Sequence, residues 1–504
     1  TTLDAGGTAT TTNDITLGNA GNDFGAAVII TNGGAVTLDD DTANLDLGTM
    51  NVNTLSVNTV GNITDSGVVT SSGNSIGLTA GVNVTLDQAQ DWADFTIAGV
   101  DVSITDTANI VLGGITASDA LSVTSDGGAI SQAASTALVI TGITTLDAGG
   151  TATTTNDITL GNTGNDFGTV AITQGGNVTI AATDTLSFQQ TTAASTSVSA
   201  AGVLTLSGGV TSSGTTSLTS TAVDAGAITF SQNTQTISST GGALTITADD
   251  MTLDGTITAT GQTVTLKSNT AADAIDLGSA GTTTAATLEL SNAELQTIAA
   301  SQLNIGTGAS GAIAVSADVT PGSGAGADVV AVHLLSGSTI TGTTGGIVET
   351  GLALTAGGMI NFTDTTTNVT DLAISAAGQS ASFTDVDSID IDTVVGVTGI
   401  TATTLNLTAN GTITDAAAST ISGTTTLDAG GTNDITLDAG NDFGTVAITQ
   451  GGDVTIADIN ALSFEQTTAA STSVSAAGVL TLSGGVTSSG TTSLTSTAVD
   501  AGAI

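Results

Sequence analysis

The sequence contains no cysteine, no tyrosine, one proline, one histidine, one tryptophan and a single basic side chain, Lys267, among 504 residues. Each scarcity excludes something. Nucleic acid is recognised by neutralising phosphates, and one lysine cannot do it. Attraction to an anionic membrane surface fails for the same reason. Without cysteine there is no disulfide framework. In an exported chain the same lack has a use, because nothing can cross-link before threading through an outer-membrane pore. No run approaches the roughly 18–20 apolar residues that span a bilayer, so no membrane insertion is expected. Aromatics are 2% of the chain, too few for an ordinary globular core. A trypsin-like protease would find one site, at Lys267.

Against these gaps stand 45 acidic residues, a formal net charge of -44 and 66 glycines. So acidic and simple a composition resembles that of disordered chains. However, 39% of residues are hydrophobic and the mean hydropathy is +0.36. Val, Ile, Leu and Ala at regular spacing can be buried, and this argues for a fold. Thr, Ser, Asn, Asp and Gly remain for the surface. Cations are the natural companions of such a chain, since salt or divalent ions screen its charge.

The sequence repeats itself. TTLDAGGTATTTNDITLGNAGNDFG at 1–25 recurs at 144–168 with one change, Ala20 against Thr163. A shortened copy begins at Thr425. Thr191–Ile228 is identical to Thr467–Ile504. These matches divide the chain into modules at 1–143, 144–280, 281–424 (diverged) and 425–504 (partial). One continuous solenoid is expected, with both ends cut within a longer chain. The deletions that shorten the last copy fall in Thr/Asn/Gly-rich stretches, which loops tolerate and stacked strands do not.

Within a module, short period-2 patterns recur: Val178/Ile180, Leu204/Leu206, Leu244/Ile246 and Val264/Leu266. Val102/Ile104, Ile110/Leu112 and Leu121/Val123 read the same way. Each predicts a strand with one buried face. Gly-Gly, Asn-Asp, Ser-Gly and Ala-Gly pairs between them mark corners. No stretch holds a 3.6-residue period. The strands are too many for one flat sheet and too close together for helical crossovers. An all-β, right-handed parallel β-helix with roughly 20 residues per coil satisfies both conditions. At about 4.8 Å per coil, the chain would make a rod on the order of 120 Å long.

The strings LDAGG, NDITL, GNDFGTVAIT and GGxVTI resemble the β-strand repeats of filamentous-haemagglutinin-like exoproteins, bacterial adhesins of the two-partner-secretion type. The resemblance is clear at 1–25, 144–230 and 425–504 and looser between. It implies a right-handed parallel β-helix outside a Gram-negative cell, secreted across the outer membrane. The secretion domain of that family has no counterpart in this stretch.

Few residues offer chemistry. His333 lies in the apolar run Val329–Leu335 and is expected to be an outward ring on a strand, since a functional site needs convergent partners. Asp385, Asp387, Asp390 and Asp392 are the densest carboxylates. Their alternation breaks at Ser388, with Val386 expected to face inward before it and Ile389 and Ile391 after it. A solvated corner and outer face is the first reading, a calcium site the second, and a glycosidase carboxylate pair the last. Asp39, Asp40 and Asp41 form a similar turn and are calcium candidates on the same ground. The corners Asn22-Asp23, Asn165-Asp166 and Asn441-Asp442 lack the GGxGxD spacing of calcium-binding nonapeptides and read as turn chemistry. Phe24, Phe167 and Phe443, just after them, read as interior plugs. Lys267, beside Leu266, reads as a surface lysine rather than an isopeptide donor. Trp92 breaks the β pattern and reads as part of a loop over the solenoid, with sugar stacking the alternative. Thr151, Thr153 and Thr155 are not spaced at coil period, which weighs against an ice-binding array.

The expectation is a non-enzymatic structural protein, a fibre or cell-surface filament formed by head-to-tail or lateral self-association. The rival is an adhesin that displays a binding surface for carbohydrate or other cells. A polysaccharide-active enzyme comes third. No cofactor is required, though calcium would suit the acidic turns. Near-identical modules favour the structural reading, although recent duplication would also preserve them.

Overall fold

The computed structural model describes residues 1–6, 13–19, 21–41, 44–88, 95–149, 156–222, 227–230, 232–279, 286–324 and 328–497. Two compact units result: Thr1–Ala222 with Gly226–Gly242, and Val223–Ala225 with Ala243–Ile504. Each is a β-solenoid of parallel coils with about 20 residues per turn.

Strand follows strand at coil period. In the first unit Val36 pairs with Leu55, Leu55 with Ile76, and Ile76 with Phe95, all parallel. In the second, Ile360 pairs with Ala381, Ala381 with Leu405, and Leu405 with Thr425. Alternation within each strand sends one side chain inward and the next outward. Every residue of the seven expected strand pairs is buried, with at most 7% exposure. Register stacks like on like, so interior columns such as Val170–Phe188–Leu206–Phe230 run through successive coils. Burying one such aliphatic or aromatic side chain contributes roughly 1.5–3 kcal/mol. The narrow interior explains both the excess of β-branched residues and the scarcity of rings. The rings that do occur are plugs: Phe167 and Phe443 are 1% exposed, whereas Phe24 is only half-buried.

Corners need backbone acceptors, and asparagine supplies them. Asn62 donates its backbone N–H to Asn44 Oδ1 at 3.0 Å. Asn83 donates to Asn62 Oδ1 at 3.0 Å, Asp101 to Asn83 Oδ1 at 3.1 Å, and Ala120 to Asp101 Oδ1 at 3.2 Å. This ladder crosses five coils, and each member stands immediately before a strand, at Leu45, Ile63, Val84, Val102 and Leu121. The motif asparagines plug corners too. Asn165, fully buried, accepts from Leu138 N–H at 3.0 Å and donates to the Leu160 carbonyl at 3.2 Å. Asn441 accepts from Ser419 N–H at 2.7 Å. Glycine is needed where coils touch at corners: a Cβ on Gly113 would overlap the Phe95 carbonyl.

Among the described residues two elements depart from the repeat, both in the second unit. Asn292–Leu295 is a single helical turn, although no helical period is visible there. Ser291 and Glu294 close it with a capping box, so local hydrogen bonding forms it rather than amphipathic packing. The other is a two-stranded antiparallel hairpin in which Thr393 pairs with Thr398 and Val394 with Val397.

Candidate functional site

The acidic residues divide into two kinds by register. The first kind points inward at corners. Asp385 is fully buried, and its carboxylate accepts from Val369 N–H and Asp387 N–H, both at 2.9 Å. This corrects the expected parity. The strand Asn368–Asp385 keeps Ala381, Phe383 and Asp385 in phase toward the interior, and Val386 is 38% exposed. No phase switch occurs at Ser388: Ile389 and Ile391 are buried in the same odd-numbered parity as Phe383 and Asp385, and the corner Val386–Ser388 is exposed. Burial pushes the Asp385 carboxyl up to about 6, against the lowering effect of its two backbone donors. Asp458, which accepts from Phe443 N–H at 2.7 Å, is built the same way, and burial raises it too. Asp40, 1% exposed, accepts from Phe24 N–H at 3.4 Å. It is therefore a corner acceptor rather than a solvated turn residue, flanked by half-buried Asp39 and exposed Asp41.

The second kind lies on the outer wall. Asp371 and Asp390 are register partners on adjacent coils, and Asp392 follows two residues later. Their carboxylates lie within 4.8 Å of one another. Among the described residues this is the one group of three or more potential ligand side chains so close together. Asp385 and Asp387 are not part of it, nor are Asp39, Asp40 and Asp41. Asp371 could not be paired with the others from sequence, since register alone carries it to Asp390 from 19 positions away. Burial, then the charges of Asp392 and Asp390, hold the Asp371 carboxyl above its ordinary range. Thr414 donates to Asp390 at 2.8 Å. Bound through one oxygen each, three carboxylates would leave at least three of calcium's six to eight oxygen positions to carbonyls or water.

The hairpin begins at Asp392. Leu372 pairs with Ile391 and Ile374 with Ile400, so residues 392–399 replace the single residue Ala373 of the preceding coil. The excursion folds back over the outer wall. Val394 packs on Ala331, Ala353 and Ala373, with Val395 and Val397 alongside. Gly351 makes room: a Cβ there would come 3.2 Å from Val394 Cγ1.

His333 stands beside this covered patch. Its parity is outward, between fully buried Val332 and Leu334, yet it is only 8% exposed. It is the outward ring on a strand that the sequence suggests, but a covered one. Nε2 lies 2.9 Å from Thr355 Oγ1, its register partner is Ala353, and burial lowers its pKa to about 4. In the next coil, two residues before Gly351, Glu349 has its Oε1 buried without a hydrogen-bond partner. Burial pushes its carboxyl up to about 8, and Asp328 adds to the rise. Lys267 ends the strand Thr256–Lys267 in an outward, half-buried position. Trp92, Thr151, Thr153 and Thr155 lie outside the described residues.

Stacked parallel coils, a column-built interior and corner acceptors define a repeat protein of the β-solenoid class. The chain belongs to the family described as Repeats of unknown function (DUF5649), whose profile matches residues 1–31, 33–97, 99–174, 378–450 and 451–504, more than half of its length. No curated protein and no solved structure matches it.

Proposed function

We propose that this chain is a non-enzymatic extracellular structural protein, a β-solenoid that builds a fibre or cell-surface filament. One observation carries the reading. Thr191–Ile228 and Thr467–Ile504 have the same sequence, and they take the same register on the coil beneath. Leu186 pairs with Leu204 as Leu462 does with Leu480, and Thr196 with Thr216 as Thr472 does with Thr492. What is repeated is the form of a coil, not a constellation converging on one point. Heterologous stacking of such units generates open filaments. Absence of cysteine and a single tryptic site suit life outside the cell. The resemblance to filamentous-haemagglutinin-like exoproteins supports export across a Gram-negative outer membrane.

A second reading is an adhesin in which the outer wall displays a binding surface. The diverged stretch with its acidic outer cluster and hairpin favours it, because that wall differs from the Thr/Ser columns elsewhere.

Negative-stain electron microscopy of the purified chain, with calcium and with chelator, tests the proposal. Long uniform filaments are expected. Their loss in chelator would make divalent cations part of the assembly. Isolated single rods in both conditions would overturn the filament reading in favour of display, and compact globules would overturn both.

A further inference from the structure

We propose that residues Asp392–Gly399 form a charge-opposed strap, held closed by apolar seating and pushed open by repulsion at its root. Three independent features meet in this hairpin. Its tip seats Val394 on Ala331, Ala353 and Ala373, an apolar strip cleared by Gly351. Such a contact favours closure. At its root Asp392 stands within 4.8 Å of both Asp371 and Asp390. Carboxylates this close repel one another, and the one lysine of the sequence, Lys267, is remote along the chain.

The turn adds a third term. Val395 and Gly396 both have positive φ, 45° and 87°. This is the backbone of a tight hairpin turn, which asparagine or glycine ordinarily fills. A β-branched residue there is strained. Valine is held in that conformation because it packs against the covered strip; lifted, it has no reason to stay. Closure therefore depends on a small surplus of packing over repulsion and strain. Gly399 N–H on the Asp392 carbonyl closes the neck, Ile374 N–H on the Gly399 carbonyl resumes the coil, and Asp392 N–H on the Leu372 carbonyl is the bond that opening releases. Opening would bare Ala331, Ala353 and Ala373 on the outer wall.

The charged and titratable groups around the strap are Asp371, Asp390 and Asp392 at the root, with Glu349 and His333 on the coils beneath. Screening acts on the three half-buried root carboxylates, which solvent still reaches. Amide hydrogen exchange at Val394–Thr398 in the full chain at constant neutral pH, from about 20 mM to about 1 M sodium chloride, reads the equilibrium. Exchange in the wild type should slow roughly three- to fivefold with salt, the range exposed charge pairs carry. Asp392→Asn should be slow already at low salt and lose the response. Val394→Ala should exchange faster at every salt concentration. Asp254→Asn, which removes an exposed carboxylate elsewhere in the same unit, should behave as wild type. A wild type indifferent to salt would overturn the proposal. So would Asp392→Asn keeping the full response, or Asp254→Asn abolishing it.

Discussion

The ring of Phe362 lies on the ring of Phe383 one coil further on, with centroids 5.7 Å apart and planes at 17°. Beneath them Gly342 pairs with Phe362, and a Cβ at Gly342 would come within 2.6 Å of that ring. A column of glycine, ring and ring thus fills a space that three equal side chains could not. Phe383→Ala should cost about 3–5 kcal/mol by opening a cavity. Gly342→Ala should cost about 1–3 kcal/mol by overpacking. Urea denaturation of the purified variants measures both, and an unchanged midpoint for Gly342→Ala would contradict the column.

The pH dependence of stability has opposed contributions. Asp385 is raised to about 6 and Glu349 to about 8. For both, the folded state binds the proton more tightly than the unfolded chain does. Their stabilisation is full below the ordinary carboxylate range and is lost as pH rises through about 6 and about 8. His333 is lowered to about 4. Its contribution is full above its ordinary value of 6.5 and is lost as pH falls toward 4. Melting temperature should therefore rise on acidification from pH 9 to about 6, and His333 should oppose the rise below that. Glu349→Gln should add roughly 1 kcal/mol at pH 9, discounted for partial exposure, and little at pH 6. His333→Gln should remove the acid-side loss. A Glu349→Gln profile parallel to wild type from pH 6 to 9 would contradict this assignment.

The corner ladder makes a chemical distinction between two substitutions at one site. Asn83 accepts from Asp101 N–H, and the next acceptor in the ladder, Asp101, is itself an aspartate. Asn83→Asp keeps an acceptor and, in salt that screens the new carboxylate from Asp101, should be nearly neutral. Asn83→Ala leaves a backbone donor without its partner and should cost about 1 kcal/mol. Equal midpoints for the two variants in chemical denaturation would show that the ladder bonds do not matter.

Much of the coil was legible from sequence because two-residue alternation is a local signal. Val178, Ile180, Leu204 and Leu206 announce their burial by spacing alone, and the Asn-Asp corners by composition. Asp385 was not legible. An inward carboxylate and an outward valine at Val386 reverse the usual polarity, and the compensating donors lie on the backbone, which sequence does not display. The outer cluster was half legible. Asp390 and Asp392 stand out as neighbours, but Asp371 reaches them only through inter-coil register. The hairpin was hidden because its partners Ala331, Ala353 and Ala373 come from three earlier coils. His333 meets Thr355 likewise only through inter-coil register, 22 positions on.

The central claim is that repeated sequence folds into parallel coils in register, and one spectroscopic measurement tests it most directly. Thr179 pairs with Ser197, and in the later copy Thr455 pairs with Ser473. All four point outward from the wall. With no native cysteine, the double variants Thr179→Cys/Ser197→Cys and Thr455→Cys/Ser473→Cys can each carry a pair of spin labels and nothing else. Continuous-wave electron paramagnetic resonance should show strong spin–spin broadening in both doubles, from attachment points about 5 Å apart, and none in the four singles. Sharp, non-interacting spectra from both doubles would contradict the coil register on which the whole account rests.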